Sequence, residues 1–185
     1  YECFDVPQKE LEDYYELVAI ATVGDVMDLQ GENRILVKEG LRRLKNTKNK
    51  GLQELIRANA LEDARITAYH IGFVLGPCIN ASGRLDTAAR SLALLNAQTK
   101  EEAAKLAGDL TALNQSRKAL TEKGKEEAIQ LIETTELKND RVLVVYLPDC
   151  HESLAGIIAG RIREKYHKPA FVLTKGEKSA KGSGR

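Results

Sequence analysis

Three consecutive pieces of sequence decide the fold class: RVLVVYLP at 141–148, HESLAGIIAGRIREKYHK at 151–168 and PAFVLT at 169–174. The first and third pieces are short apolar runs rich in valine and aromatic residues, which predicts buried strands. The piece between them has the spacing of a helix that begins near His151. A strand, a helix and a second strand form a β-α-β unit, so we expect an α/β module from about residue 140 onward.

Upstream of this module the sequence predicts one unusually long helix. Thr99 and Glu102 have the spacing of a capping box that opens it. Apolar residues then recur at helical steps, at Leu106, Leu110, Leu113, Leu120, Ala128 and Leu131. This pattern predicts a helix of roughly 35 residues, about 50 Å long at 1.5 Å per residue. It is either a coiled-coil arm or a spacer between two domains, and the change of pattern beyond it favours the spacer.

The first part of the chain is patterned as helices joined by short turns. After Pro7, the segment QKELEDYYELVAIATVGDV predicts a helix that ends before Gly24. Asp25 and Asp28 then lie in a turn, and Gly31 leads into a second helix. The predicted inner face of that second helix consists of Ile35, Leu36, Leu41 and Leu44.

Three shorter helices are predicted between this pair and the long helix. A loop at 46–51 precedes the first, which has Leu52, Leu55 and Ile56 on its inner face. The second is AYHIGFVLG, capped by Thr67 and interrupted by Pro77. The third runs from Leu85 to about Asn96.

Composition excludes several protein classes. With 185 residues and 43% hydrophobic content, the chain can bury one good-sized core or two small ones. Its three cysteines are scattered, which favours reduced thiols in a reducing compartment, and no apolar run is long enough to span a membrane. We therefore expect a cytoplasmic protein. A net charge of +1 means that any nucleic-acid binding must come from local clusters of Lys and Arg.

The ends of the sequence favour an internal segment of a longer protein. The chain starts at Tyr1 without an initiator methionine and stops at Arg185 within a glycine-rich stretch. We expect further sequence on both sides.

The stretch GPCINASGR at 76–84 predicts a loop with groups suited to phosphate. Pro77 ends a helix, Asn80 can satisfy backbone groups in a turn, and Arg84 presents a fork of hydrogen-bond donors. A structural interpretation has equal weight: Asn80 caps a turn, and Arg84 pairs with Asp86 or a neighbouring carboxylate.

The predicted helix at 151–168 begins with groups that suit an anion. His151 and Ser153 lie in its first turn, where backbone N–H groups and the helix dipole favour negative charge. The alternative is that His151 belongs to an ordinary N-cap. Gly156 and Gly160 place small residues four apart on one face, which permits close approach of another backbone.

The tail KGSGR combines backbone donors with charge. Lys181 and Arg185 supply cations and Ser183 a hydroxyl, a composition that suits phosphate oxygens. The same residues also fit a solvated hairpin end.

Asp25 is a candidate metal ligand that has few partners. A site for Mg²⁺ or Mn²⁺ needs several converging oxygen or imidazole ligands. The chain has only three histidines, none adjacent, and no Asp-x-Asp. Without further context, Asp25 equally fits a carboxylate that solvates or caps a turn.

Four stretches, taken together, resemble the RecJ single-strand-specific exonucleases of the DHH phosphoesterase superfamily. They are ATVGDVMDLQGENRILVKEGL, GPCINASGR, HESLAGIIAGRIREKYHKPAFVL and KGSGR, in this order and at this spacing, with a long helix between the second and third. The resemblance covers nearly the whole chain. It implies an α/β protein built from the helical C-terminal part of a DHH domain at 1–97, a long connecting helix at 98–138 and the start of a DHH-associated domain at 139–185.

The resemblance also implies an activity and its residues. The family's nucleases hydrolyse phosphodiesters of single-stranded DNA from a 5′ end with Mn²⁺ or Mg²⁺, in DNA repair and recombination. Asp25 matches a metal-binding aspartate, and Asn80 and Arg84 match a loop that touches the DNA backbone. His151 matches a histidine that faces the groove. Ser183 and Arg185 match residues that hold the terminal 5′ phosphate. Implied partners are single-stranded DNA, a helicase and a single-strand-binding protein, with no membrane.

The sequence also departs from the family pattern. The upstream aspartate motifs and the Asp-His-His stretch that supply the other metal ligands are not in this sequence. We therefore expect the chain alone to bind no catalytic metal and to be inactive. We also expect an incomplete sheet whose edge can pair with another copy. Two alternatives stay open: a phosphoesterase for short oligonucleotides or cyclic dinucleotides, and a non-catalytic nucleic-acid-binding module.

Overall fold

The computed structural model describes residues 8–12 and 14–185, which form two compact units, Tyr1–Asn114 and Gln115–Arg185. The fold is α/β, with a small three-stranded sheet in the second unit. The division between the units falls within the long helix, which belongs partly to each. No helix among the described residues is long and apolar enough to cross a membrane.

The first unit is helical. Its helices are α1 (Gln8–Glu12), α2 (Tyr15–Gly24), α3 (Gly31–Leu44), α4 (Lys50–Ala58), α5 (Ala68–His70), α6 (Gly76–Leu85), α7 (Ala89–Leu95) and the start of α8 (Lys100–Thr134). A π-helical turn, Ile71–Leu75, joins α5 directly to α6. The core beneath these helices is formed by large aliphatic side chains, among them Leu44, Leu55, Leu75 and Leu110. Each is almost completely buried, so apolar burial is the main stabilising contribution.

Helices α2 and α3 pack closely because α3 contains a glycine at their contact. A Cβ at Gly40 would collide with the Tyr15 carbonyl oxygen and with Ala19. The inner face of α3 is Val37, Gly40 and Leu44. The prediction that Ile35 belongs to this face is wrong, since its side chain is 68% exposed. The helical phase is fixed by the glycine contact and not by hydrophobicity alone.

The sequence predicted a loop at GPCINASGR, but this stretch forms helix α6. The expected interruption at Pro77 does not occur, because proline is tolerated in the first turn of a helix, where its missing N–H is not needed. The π-helical turn before it shifts the hydrogen-bond register, with the Gly76 N–H donating to the Ile71 carbonyl. Asn80 and Arg84 are therefore presented by a regular helix.

The long helix that the leucine spacing predicts is α8, with 35 residues. At its start Thr99 Oγ1 accepts from the Glu102 N–H at 3.2 Å, while the Glu102 carboxylate accepts from the Gln98 N–H at 3.2 Å. The predicted stripe is only partly right: Leu110 and Ala128 are buried, but Leu120 is 46% exposed.

The second unit is built on the predicted β-α-β motif. Strand β1 (Leu143–Tyr146) pairs in parallel with β2 (Ala170–Lys175), and helix α9 (Glu152–Tyr166) connects them. The tail adds a third strand, β3 (Ala180–Gly184), antiparallel to β2, so that the sheet order is β1-β2-β3. The antiparallel β3 fits the hairpin interpretation of the tail.

Strands β1 and β2 are buried on one face only, whereas the sequence predicted buried strands. Along β1, Leu143 and Val145 are fully buried, while Val144 and Tyr146 are 47% and 50% exposed. This alternation is the period-two pattern of a sheet that is covered on one side.

Candidate functional site

Asp25 and Asn80 lie at the same cavity, although 55 positions separate them in the sequence. The cavity has a volume of about 310 Å³ and is walled by apolar residues of α2, α6 and α7, including Leu17, Ile79 and Leu95. Both polar side chains are exposed at its rim. An apolar pocket with few polar groups is the usual form of a small ligand site.

The turn that carries Asp25 has an uncommon backbone. Asp25 is the C-cap of α2, and Val26 follows with φ +56°. The Met27 N–H donates to the Thr22 carbonyl at 3.1 Å, and the Val26 N–H to Val23 at 3.1 Å. These two bonds define a Schellman motif whose left-handed residue is normally glycine. The Asp25 carboxylate is thus held beside a strained, β-branched residue.

Asn80 and Arg84 are four residues apart on α6, and both are exposed. This spacing places them on one helical face. The opposite face is fixed to α7 by buried hydroxyls: Ser82 Oγ lies 2.8 Å from Ser91 Oγ, and Ser91 Oγ donates to the Ile79 carbonyl at 2.6 Å. Helix α6 therefore presents an amide and a guanidinium from a firmly anchored element.

The structural interpretation of this segment was that Asn80 caps a turn and that Arg84 pairs with Asp86 or a neighbouring carboxylate. The part that concerns Asn80 is wrong. Asn80 is in the middle of α6 and caps no turn. The carboxylate of Asp86 forms an ion pair with Arg90, which also approaches Asp109 at 3.7 Å.

In the second unit, His151 is the N-cap of α9. Its Nδ1 accepts from the Ser153 N–H at 3.3 Å and lies 2.8 Å from Ser153 Oγ. His151 is therefore an N-cap, as the alternative proposed, and it caps through Nδ1 while its side chain is exposed. Among the described residues, none hydrogen-bonds Nε2, which stays available to a ligand.

Strand β3 places the tail's polar side chains over α9. Lys181 Nζ donates to the Glu152 carboxylate at 2.8 Å. A Cβ on Gly156 would lie 2.9 Å from Arg185 Nη2 and 3.0 Å from Ser183 Oγ. The sequence predicted that Gly156 lets another backbone approach α9. The groups that approach it are instead the side chains of Ser183 and Arg185.

The polar groups of this cluster form two sets of hydrogen bonds, one between Lys181 and Glu152 and one made by Arg185. Arg185 Nη1 donates to Ser183 Oγ at 2.9 Å and to the Gly184 carbonyl at 2.7 Å. The hydrogen bond from Lys181, together with its positive charge, holds the pKa of Glu152 below its usual range. Nearby, burial raises the pKa of the Cys150 thiol, so this cysteine is not an activated nucleophile. The cluster is suited to binding an anion and not to covalent chemistry.

The described residues do not fit a complete metal site. No group of three or more His, Cys, Asp or Glu side chains among them is arranged to hold a metal ion. Asp25 supplies one carboxylate, whereas Mg²⁺ prefers octahedral coordination by oxygen ligands.

Comparison with known proteins gives one consistent result. The chain is 38% identical over 183 residues to the single-stranded-DNA-specific exonuclease RecJ of Dickeya dadantii. This match covers 96% of the chain and 32% of the relative. It is 38% identical over 180 residues to RecJ of Escherichia coli, covering 95% of the chain and 31% of the relative. These matches confirm the resemblance to RecJ exonucleases.

Solved structures agree with this result. The crystal structure of Thermus thermophilus RecJ in complex with Mg²⁺ matches with a TM-score of 0.80 and 32% identity, over 95% of the chain and 27% of that protein. The Mn²⁺ complex matches with a TM-score of 0.81 and 33% identity, over 95% and 26%. No protein-family model matches the chain. The chain spans about a third of the length of the curated RecJ relatives it matches.

The sequence named candidate residues, whose roles stay predictions, but it did not predict several of the contacts around them. The left-handed Val26 has no sequence signal, because the glycine that usually marks this position is absent. The pair formed by Glu152 and Lys181 joins residues 29 apart and depends on the pairing of β3. The sequence predicted that Gly156 permits a close approach, but it did not predict that the tail makes this contact.

Proposed function

We propose that the chain is part of a metal-dependent 5′ to 3′ exonuclease that hydrolyses phosphodiesters of single-stranded DNA. The observation that carries this proposal is the 38% identity to RecJ of Dickeya dadantii over 96% of the chain. The proposed domains are the C-terminal part of a DHH domain at 1–97, a connecting helix at 98–138 and the start of a DHH-associated domain at 139–185. The proposed setting is DNA repair and recombination in the cytoplasm, with a helicase and a single-strand-binding protein as partners.

In this proposal the first unit holds the scissile region of the strand. Asp25 is a metal ligand, and Asn80 and Arg84 donate hydrogen bonds to phosphate oxygens of the DNA backbone. The shared cavity of Asp25 and Asn80 and the common helical face of Asn80 and Arg84 support these roles. A guanidinium fork suits phosphate because it offers two parallel donors.

The second unit holds the end of the strand. Arg185 and Ser183 bind the terminal 5′ phosphate, and His151 contributes Nε2 at the start of α9. The hydrogen bond between Arg185 and Ser183 fixes the guanidinium, and the nearby α9 N-terminus favours negative charge. A fixed anion site at the strand end would make cleavage proceed from that end.

Metal chemistry enters this proposal only through Asp25. When bound, Mn²⁺ or Mg²⁺ activates water and stabilises charge at a phosphodiester. Because the described residues form no three-ligand cluster, we propose that the remaining ligands come from sequence outside this chain and that the chain alone does not cleave DNA.

The test is digestion of a 5′-labelled single-stranded oligonucleotide with Mn²⁺. Three proteins are compared: this chain, the same chain extended by flanking sequence, and the extended chain with Asp25→Ala. We expect mononucleotides from the extended chain only. Cleavage by the Asp25→Ala protein would remove Asp25 from the metal site, and Mn²⁺-dependent cleavage by the short chain would show that its ligand set is sufficient.

The absence of a ligand cluster among the described residues also favours a second function, a non-catalytic nucleic-acid-binding module. This alternative predicts that the extended chain binds single-stranded DNA and releases no nucleotides. A series of substrates of different length separates the exonuclease and the binding module from a phosphoesterase for short oligonucleotides. That phosphoesterase would prefer the shortest substrates.

A further inference from the structure

Residues 34–50 form a cluster of positive charge that includes none of the residues assigned above. Residues 34–50 contain seven Lys or Arg and one Glu, in a chain whose net charge is +1. That glutamate, Glu39, accepts hydrogen bonds from Arg42 and Arg43. Those bonds lower its pKa to about 2, so it stays ionised but is already paired.

Part of this cluster lines a groove of about 440 Å³ between α3 and the segment before α5. The lining residues are Lys38, Leu41, Arg42, Lys45, Arg65, Ile66 and Thr67. The groove thus has four cations, an apolar floor and no acidic residue. We call it the basic groove.

The four cations of the basic groove are exposed, and three of them follow one face of α3. Lys38 and Arg42 lie on α3 and Lys45 is its C-cap; their spacing of i, i+4, i+7 aligns them along the helix. Within residues 8–12 and 14–185, the side chains of Lys38, Lys45 and Arg65 form no ion pair or hydrogen bond. A row of unpaired cations beside low-dielectric walls raises the local concentration of anions.

An aromatic pair follows the groove in the chain. Thr67 lines the groove and caps α5, which carries Tyr69. The Tyr69 and Phe73 ring centroids are 4.9 Å apart, and the two side chains are 64% and 65% exposed. Proteins bind single strands by stacking bases on exposed aromatic rings and by pairing phosphates with Lys and Arg, and both kinds of side chain occur in this part of the chain.

We infer that the basic groove binds the phosphate backbone of a single-stranded nucleic acid, with Tyr69 and Phe73 accepting its bases. This deepens the proposed function and rests on it for the identity of the strand. The exposed rings of Tyr69 and Phe73, which follow the groove in the chain, favour a nucleic-acid strand over a short acidic peptide, because a strand carries bases that stack on aromatic faces.

The test measures binding without cleavage. The probe is fluorescein-labelled (dT)20 without a 5′ phosphate, in EDTA, followed by anisotropy over a series of NaCl concentrations. Lys38→Gln, Lys45→Gln and Arg65→Gln are combined in one variant. The matched control combines Lys105→Gln, Lys123→Gln and Arg141→Gln, which removes the same charge from exposed positions elsewhere.

The groove variant should weaken binding on the order of 100-fold at 0.1 M salt and lower the salt slope by about 2, since each single-strand phosphate contact contributes about 0.7. The control variant should stay within about threefold of the unmodified chain, because it loses no contact. Unchanged melting by circular dichroism would confirm that both variants fold. Equal losses in the two variants, or none in the groove variant, would overturn the inference.

Stacking has its own readout. Phe73→Ala should lower affinity about tenfold, whereas Tyr14→Ala, which removes a 59% exposed aromatic elsewhere, should not. The difference should vanish on a strand of abasic sites. Persistence of the full difference on abasic DNA would refute the stacking role.

Two further outcomes separate this inference from the proposed function. If the extended chain degrades DNA while the groove variant binds (dT)20 normally, only the groove inference fails. If a labelled acidic peptide binds through the groove and (dT)20 does not, the groove is a protein-docking surface and the inference is wrong.

Discussion

Replacing Val26 by glycine should stabilise the first unit, although it removes an aliphatic side chain. Val26 adopts φ +56° at the left-handed position of the Schellman motif that ends α2. Its side chain is 87% exposed, so the substitution gives up little buried surface. The backbone conformation, and not packing, therefore determines the effect.

The expected gain follows from two opposing contributions. A non-glycine residue in the left-handed region costs roughly 1–2 kcal/mol, and the greater flexibility of glycine in the unfolded chain offsets roughly 0.5–1 kcal/mol of this. We expect Val26→Gly to raise the free energy of unfolding by about 0.5–1 kcal/mol, or a melting temperature by about 2–6 °C for a unit of this size. Thermal unfolding followed by far-ultraviolet circular dichroism measures this shift.

Gly31 provides a control of opposite sign. It has φ +48°, and a Cβ there would meet no atom within 4 Å. Gly31→Ala should therefore destabilise by about 1 kcal/mol through the backbone alone. A loss of stability in Val26→Gly, with no change in Val26→Ala, would refute the reasoning, because it would show that the valine backbone is not strained.

Four other substitutions test the site and its supports. Arg185→Ala should reduce the preference of the extended chain for 5′-phosphorylated DNA by at least tenfold, since a charge-assisted contact contributes about 1.5–3 kcal/mol; equal affinity of the unmodified extended chain for both ends would contradict this. Gly156→Ala should lower the same preference by displacing the tail, and a crystal structure of the variant should show the Arg185 guanidinium moved. The carboxylate of Glu152 should titrate below its usual range in ¹³C NMR, so its contribution to stability is lost as the pH falls through the lowered pKa, and Lys181→Gln should restore an ordinary pKa. Asn49→Ala should cost about 1–2 kcal/mol in urea unfolding, because Asn49 caps α4 and its amide also donates to the Leu95 carbonyl at 2.8 Å.

Helical periodicity and capping predicted the elements whose signals are local. Thr99 and Glu102 mark the start of α8 within two residues, and the 35-residue length agrees with the leucine spacing. The β-α-β motif was likewise predictable, because two apolar runs flank a helical pattern with little room for another arrangement.

The elements that were predicted wrongly depend on contacts outside the pattern of the segment itself. The GPCINASGR stretch contains proline and glycine, which usually indicate a loop, but the π-helical turn before Pro77 and the buried Ser82–Ser91 contact favour a helix. Leu120 is 46% exposed although Gly124, one turn further along α8, packs against Ile158. Periodicity within one segment does not contain contacts with another segment, whether near or distant in sequence.

In the proposed roles, the candidate residues equip the chain better to hold a strand than to cut it. Arg185 is fixed by strand pairing, since its backbone exchanges hydrogen bonds with Ala170 at 2.9 and 3.0 Å, and Arg84 extends from a helix anchored by buried hydroxyls. Asp25, by contrast, is one exposed carboxylate on a strained turn. Binding and cleavage should therefore respond to different substitutions: Arg185→Ala in the extended chain should change which strand ends are bound at little cost to turnover, whereas Asp25→Ala should abolish turnover and leave binding in EDTA unchanged. If both substitutions weakened binding equally, this separation of roles would be wrong, and Asp25 would have to be regarded as part of the surface that contacts the strand.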